Sequence, residues 1–105
     1  MICRIWHGWT TEADAEAYER LLRSEIFPSI IRRKISGFQA IDLLRGSVPE
    51  EVEFVTIMWF DSVEAVQRFA GPDYEVAVVP PEARALLVRF ETRSAHYNTI
   101  EQQSV

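Results

Sequence analysis

Two histidines, His7 and His96, are the only imidazoles in the chain, and an imidazole is the side chain best suited to take a proton at neutral pH. Either could serve as a general base. They fall on segments that read as different strands, so they do not form a pair at metal-ligand spacing. Aromatic residues surround them: Trp6, Trp9, Trp59, Phe60, Tyr74 and Tyr97 all lie on or beside expected strands. Such rings fill cores as readily as they wall pockets. A mostly apolar cavity carrying only a few polar groups, here Arg4, His7, Thr56 and His96, suits a flat, apolar or aromatic small molecule. The candidate catalytic residues are therefore His96 and His7. The candidate substrate-binding residues are Arg4, Trp6, Thr56, Trp59, Phe60, Tyr74 and Tyr97.

Other chemistries find no support. The chain has no Walker loop, no GxGxxG and no CxxC, so neither a metal nor another cofactor is expected. Cys3 is the single cysteine, which forbids an internal disulfide and makes a reducing cytoplasm the default. Eleven basic residues stand against sixteen acidic ones, for a net charge of -5, which argues against nucleic-acid binding. The one basic run, Arg32-Arg33-Lys34, reads as the solvated end of a helix. No apolar run reaches the roughly 18–20 residues of a membrane helix. The N-terminal MICRIWHGW lacks the pattern of a signal peptide. With 48% hydrophobic and 26% charged residues among 105, the composition is that of one soluble globular domain.

The elements that must position these residues follow from periodicity. Ile2 to Trp9 reads as a strand, with Ile2, Arg4 and Trp6 on one face and Cys3, Ile5, His7 and Trp9 on the other. Thr11 with Asp14 resembles a capping box. The helix after it carries Ala17, Tyr18, Leu21, Leu22 and Ile26 on its apolar stripe. The Glu16–Arg20 and Glu19–Arg23 pairs lie on its wet side, each worth ~0.3 kcal/mol. Pro28 should break or kink this helix, and Gly37 ends the segment. A second strand, Phe38 to Arg45, and a turn at Gly46–Glu50 lead into a third, Glu51 to Phe60. Asp61 or Ser62 caps the next helix, on which Val63, Val66, Phe69 and Ala70 face inward before Gly71 stops it. Tyr74 to Val79 fits a short helix or an extended piece equally. Pro81 opens one more helical turn, and a fourth strand runs from Leu87 to Tyr97. Residues 1–98 form the domain, and 99–105 a polar, frayed tail.

The order βαββαβ, with right-handed crossovers, puts the first strand in the centre beside the third and fourth. This is a ferredoxin-like α+β fold, an antiparallel sheet with both main helices on one face. The third strand is apolar on both faces: Val52, Phe54, Thr56, Met58 and Phe60 on one, Val55, Ile57 and Trp59 on the other. A strand of that kind is normally covered on both sides. A second copy of the chain is the simplest cover for the open face, which predicts a homodimer burying ~800 Å² per subunit.

Three segments, MICRIWHGWT, FVTIMWFDSVEAVQRFAGPDYEVAV and the HY at 96–97, resemble the antibiotic biosynthesis monooxygenase superfamily of dimeric α/β barrels. The resemblance extends through about Tyr97. It implies a ferredoxin-like homodimer with a pocket in each subunit. Some members of the family oxidise aromatic, polyketide-type substrates with dioxygen and no prosthetic group; others bind and cleave haem. Family members often place a Trp directly before the acidic-Ser helix start. Phe60 holds that position here, and Trp59 one residue earlier belongs to the opposite face, so only one of the two is expected in the pocket. The haem-cleaving branch has a histidine ligand about ten residues into the segment after the helix, which by spacing falls around Val78. The resulting expectation is a cofactor-independent monooxygenase of a small aromatic, quinol-like substrate. The alternative is a non-catalytic dimer of the same fold that binds a small ligand or haem.

Overall fold

The computed structural model describes all residues, 1–105. Strand β1 (Ile2–Thr11) is followed by α1 (Ala15–Leu21), a π-helical turn (Leu22–Ile26) and α2 (Phe27–Arg32). These three pieces make one continuous helical run. Pro28 does not break it. Its ring crowds the carbonyl four residues back and it offers no N–H, and the wider π turn just before it relieves that crowding, with Phe27 N–H donating to the carbonyl of Leu22. Tyr18 and Leu22 from the expected stripe are buried, whereas Ala17 is exposed. The Thr11 hydroxyl accepts from the Asp14 N–H at 3.1 Å, which is half of a capping box.

Strands β2 (Phe38–Val48) and β3 (Glu51–Phe60) form the hairpin. It is longer than the Gly46–Glu50 turn suggested, because pairing continues to Val48↔Glu51 and Pro49-Glu50 alone make the turn. Helix α3 (Val63–Ala70) is capped by Ser62, whose hydroxyl accepts from Ala65 N–H at 3.2 Å. The other candidate cap, Asp61, accepts instead from the Gln39 side chain at 2.8 Å. Val66 and Phe69 face inward, but Val63 on the first turn is 38% exposed. Tyr74 to Val79 is mostly extended and leads into the short α4 (Pro81–Arg84).

The sheet order is β2-β3-β1 with two short strands, β4 (Arg89–Phe90) and β5 (Ala95–Asn98), sharing the far edge of β1. β1 is central, as expected. The unbroken fourth strand is not observed. β4 pairs Phe90 with Gly8, and β5 pairs Ala95 with Ile5. Four residues, Glu91–Ser94, therefore stand opposite only Trp6 and His7. Glu91 still donates to His7 O at 3.0 Å, while Thr92–Ser94 bulge away and pair with the preceding segment, through Ala77 N–H to Thr92 O at 2.9 Å and Ser94 N–H to Glu75 O at 2.7 Å.

Alternation along β1 and β3 sets the two faces. Ile2, Arg4, Gly8 and Thr10, with Val52, Phe54, Met58 and Phe60, are buried beneath the helices. The core there has two parts, one around Phe60, Val66 and Phe69, the other around Tyr18, Leu22 and Phe54. The other face carries Cys3, Ile5, His7, Trp9, Val55, Ile57 and Trp59, with Leu44 and Tyr97 at its flanks 45% and 58% exposed. No element of the chain covers it, and the sheet does not close into a barrel. No helix is long and apolar enough to cross a membrane.

Candidate functional site

Arg4 is 3% exposed, placed under the helices by the pleat of β1. Its guanidinium donates through Nη1 to the carbonyl of Tyr74 and through Nη2 to that of Val76 at 3.0 Å. Nη1 also lies 3.1 Å from His96 Nε2, and the ring of Phe69 packs 5.4 Å from the guanidinium carbon. No carboxylate pairs with Arg4: it is absent from every ion pair in the molecule. Burial lowers its pKa to about 10, so it stays charged at neutral pH.

His96 faces Arg4 across the β1–β5 pairing. A guanidinium can only donate, so His96 Nε2 accepts and its proton sits on Nδ1. That nitrogen is buried without a partner. Burial, then the charge of Arg4, push the His96 pKa below its ordinary value, against a smaller opposing pull from Glu75. The ring of Tyr74 meets it edge-on at 5.0 Å.

Arg4 closes one end of a cavity between the sheet and the helices. The cavity lies between the two parts of the core, with Tyr18, Leu22 and Phe27 on the helical side and Met58, Thr56 and Trp6 on the sheet. Its volume is about 60 Å³, and the empty space reaches about 510 Å³ once the open mouth is counted. The lining is mainly apolar and contains no acidic side chain. An apolar cavity of roughly 150 Å³ admits benzene, so a ring bound here must use the mouth or displace a lining side chain.

Among the residues singled out from the sequence, Arg4, Trp6 and Thr56 line this cavity. His96 stands behind Arg4 rather than in the cavity and opens, with Tyr74 and Tyr97, onto a separate recess beside Ile2 and Val66. His7 lies on the uncovered face, its Nδ1 3.0 Å from Glu53 Oε2 and its ring stacked on Trp9. Neither Trp59 nor Phe60 reaches the cavity. The Trp59 indole is on the uncovered face and donates to Asp42 at 3.0 Å. Phe60 is fully buried in the core between the rings of Phe38 and Phe69. Sequence reasoning missed Ser94, which lines the cavity, is 5% exposed and has a buried hydroxyl with no partner. It lies two residues before His96, which pairs with Arg4, so strand alternation puts it on the cavity side, and that was the signal that could have found it. No cluster of three or more His, Cys, Asp or Glu side chains is arranged to hold a metal.

No protein-family model matches the chain, and no curated protein matches it by sequence. Solved structures do. A Bacillus cereus protein provisionally described as an antibiotic biosynthesis monooxygenase superposes with a TM-score of 0.71 at 15% identity, over 100% of this chain and 96% of its own. A variant of MhuD with two manganese protoporphyrin IX molecules per active site matches at 0.60 and 18% identity, over 100% of both chains. SnoaB, a cofactor-independent oxygenase from Streptomyces nogalater, matches at 0.57 and 16% identity, over 96% of this chain and 95% of its own. At these identities the likeness concerns the fold. The chain has the fold of the antibiotic biosynthesis monooxygenase-like proteins.

Proposed function

We propose that this chain is a cofactor-independent monooxygenase that oxidises a small, electron-rich aromatic substrate with dioxygen. The observation that carries the reading is the cavity itself: apolar walls, one buried guanidinium and no acid. An ionised hydroxyarene can pass an electron to dioxygen unaided. The radical pair then collapses to a peroxide, and loss of water leaves the quinone. The protein has only to bind, deprotonate and exclude water. Arg4 would hold the substrate's oxyanion, and Trp6, Thr56 and Met58 its body. The base would be His96. His96 stands behind Arg4, so in that role its Nε2, which now accepts from Nη1, reaches the substrate only when the guanidinium moves aside. Oxygen uptake with discolouration of a hydroxyanthrone-type substrate is the expected result, and no uptake across a broad quinol panel overturns the reading.

A second reading is a non-catalytic dimer holding a small apolar ligand or haem. It is favoured by the engagement of His96 with Arg4 and by the likeness to porphyrin-bound MhuD. A binder keeps its affinity in the His96→Ala variant. A Soret band on adding hemin supports haem binding, and its absence dismisses that version.

For either activity the working unit we propose is a homodimer formed through the uncovered sheet face. Its support is the apolar row of Ile5, Val55, Ile57 and Leu44, which nothing in one subunit covers.

A further inference from the structure

We infer that Arg4 and Ser94 together form an anion-binding end to the cavity, so that its ligand carries an anionic oxygen, a carboxylate or an ionised phenol, on a slim apolar body. The inference deepens the proposal of a small-molecule site in this cavity and rests on it.

Three observations converge. Arg4 brings a buried positive charge to the cavity with no carboxylate beside it. Three of its five N–H groups are used, by Tyr74 O, Val76 O and His96 Nε2. The Nε–H and one hydrogen of Nη2 have no protein partner. Ser94 is independent of this: it comes from the bulge between β4 and β5, lines the same cavity and has a buried, unpartnered hydroxyl. Buried polar groups are almost always satisfied, and one that is not calls for a ligand or a function. Finally, the rest of the lining is largely apolar and holds no acid. A neutral hydrocarbon would leave the guanidinium and the hydroxyl unmatched, whereas an anionic oxygen accepts from both.

The backbone supports this arrangement. The carbonyls of Tyr74 and Val76 hold the guanidinium in place, and the bulge of Thr92–Ser94 pins Ser94 to Glu75 in the same extended segment. The stretch Tyr74–Val76 thus ties the Arg4 guanidinium and the Ser94 backbone to one piece of chain.

The test titrates the whole protein with benzoate against benzyl alcohol, and with 4-nitrophenolate against nitrobenzene. It follows the NMR resonance of the Trp6 indole N–H, which belongs to a cavity-lining ring. The expected result is at least ~10-fold tighter binding of one or both anions than of the neutral counterpart, the scale of a charge-assisted hydrogen bond. Ser94→Ala should weaken the anion by ~5-fold or more and leave the neutral compound within about twofold. Arg4→Met should abolish the preference; because Arg4 also clamps two carbonyls, Ser94→Ala carries the test if that variant does not fold. Equal affinity of anion and neutral compound, with the Trp6 signal moving, overturns the anion site and leaves the cavity as a ligand site. So does an unchanged preference in Ser94→Ala. A Trp6 resonance that neither compound moves overturns both.

Discussion

Burial of His96, helped by the neighbouring charge of Arg4, sets how the site would respond to pH. His96 is partly desolvated and, second, faces the charge of Arg4, so its folded pKa lies below the ordinary histidine value of about 6.5. A lowered pKa means that fewer protons are bound at any given pH. The neutral, base-competent form therefore persists as the solution is acidified past pH ~6.5. If His96 is the base, the acid limb of kcat/KM, which reports the free enzyme, should fall below pH ~6.5; a limb above it would remove His96 from that role. His96→Ala should lower turnover by ~10²-fold or more. The sequence was enough to bring Arg4, Trp6 and Thr56 to one face, because a pleated strand alternates and nothing else is needed to assign sides. It was not enough to choose between Trp59 and Phe60. Each lies on a different face, and the cavity turned out to open further along the sheet than either. Nor could it separate His96 from the cavity, since only the three-dimensional path of the Arg4 side chain puts a guanidinium between them.

At the level of elements, the turn between β2 and β3 and the start of α3 carry local chemistry that can be measured. Glu50 follows Pro49 in a two-residue turn with φ at 67°, a left-handed conformation that a side chain with a Cβ adopts at a cost. Glu50→Gly should raise stability by about 0.5–1 kcal/mol, read as a higher midpoint in urea with unchanged slope. A lower midpoint would mean that the entropy of the unfolded glycine outweighs the relieved strain. Ser62→Ala removes the hydroxyl that accepts from Ala65 N–H and should cost about 1 kcal/mol, whereas Ser62→Gly should cost only a few tenths. The presence of both was legible because caps and turns are written in local residue types, but their exact residues were not: the turn shrinks from Gly46–Glu50 to Pro49-Glu50, and Ser62 rather than Asp61 is the cap. The break between β4 and β5 was not. Leu87 to Tyr97 contains no glycine or proline to announce it. The two extra residues opposite Trp6 and His7 are accommodated by a long-range partner, the segment Glu75–Ala77, and no local pattern encodes such a partner. Ser94 lies on the Arg4 side by alternation alone, but alternation does not say that its hydroxyl lacks a partner.

For the molecule as a whole, the open question is what covers the second face of the sheet. β3 is apolar on both sides, and its sequence pattern alone predicts a cover; the fold places both main helices on one side and leaves Ile5, Val55, Ile57 and Leu44 with none. Contiguous exposed apolar patches of this kind mark an interaction surface. Self-association satisfies it without a further partner, and a symmetric pair needs only ~800 Å² from each copy. Ile5 is the informative position. It lies on the central strand, between Ile57 of β3 and Ala95 of β5, and in one subunit its side chain is not fully buried. Ile5→Glu therefore leaves the carboxylate access to water in a monomer but would bury it unpaired in a dimer, where it costs several kcal/mol. Light scattering at micromolar concentration should report a dimer for the native chain and a monomer for Ile5→Glu, with the far-ultraviolet circular dichroism of the two alike. A monomeric native chain rejects the dimer outright. A variant that still pairs shows that the copies meet through some other surface, and the apolar face then needs a different cover.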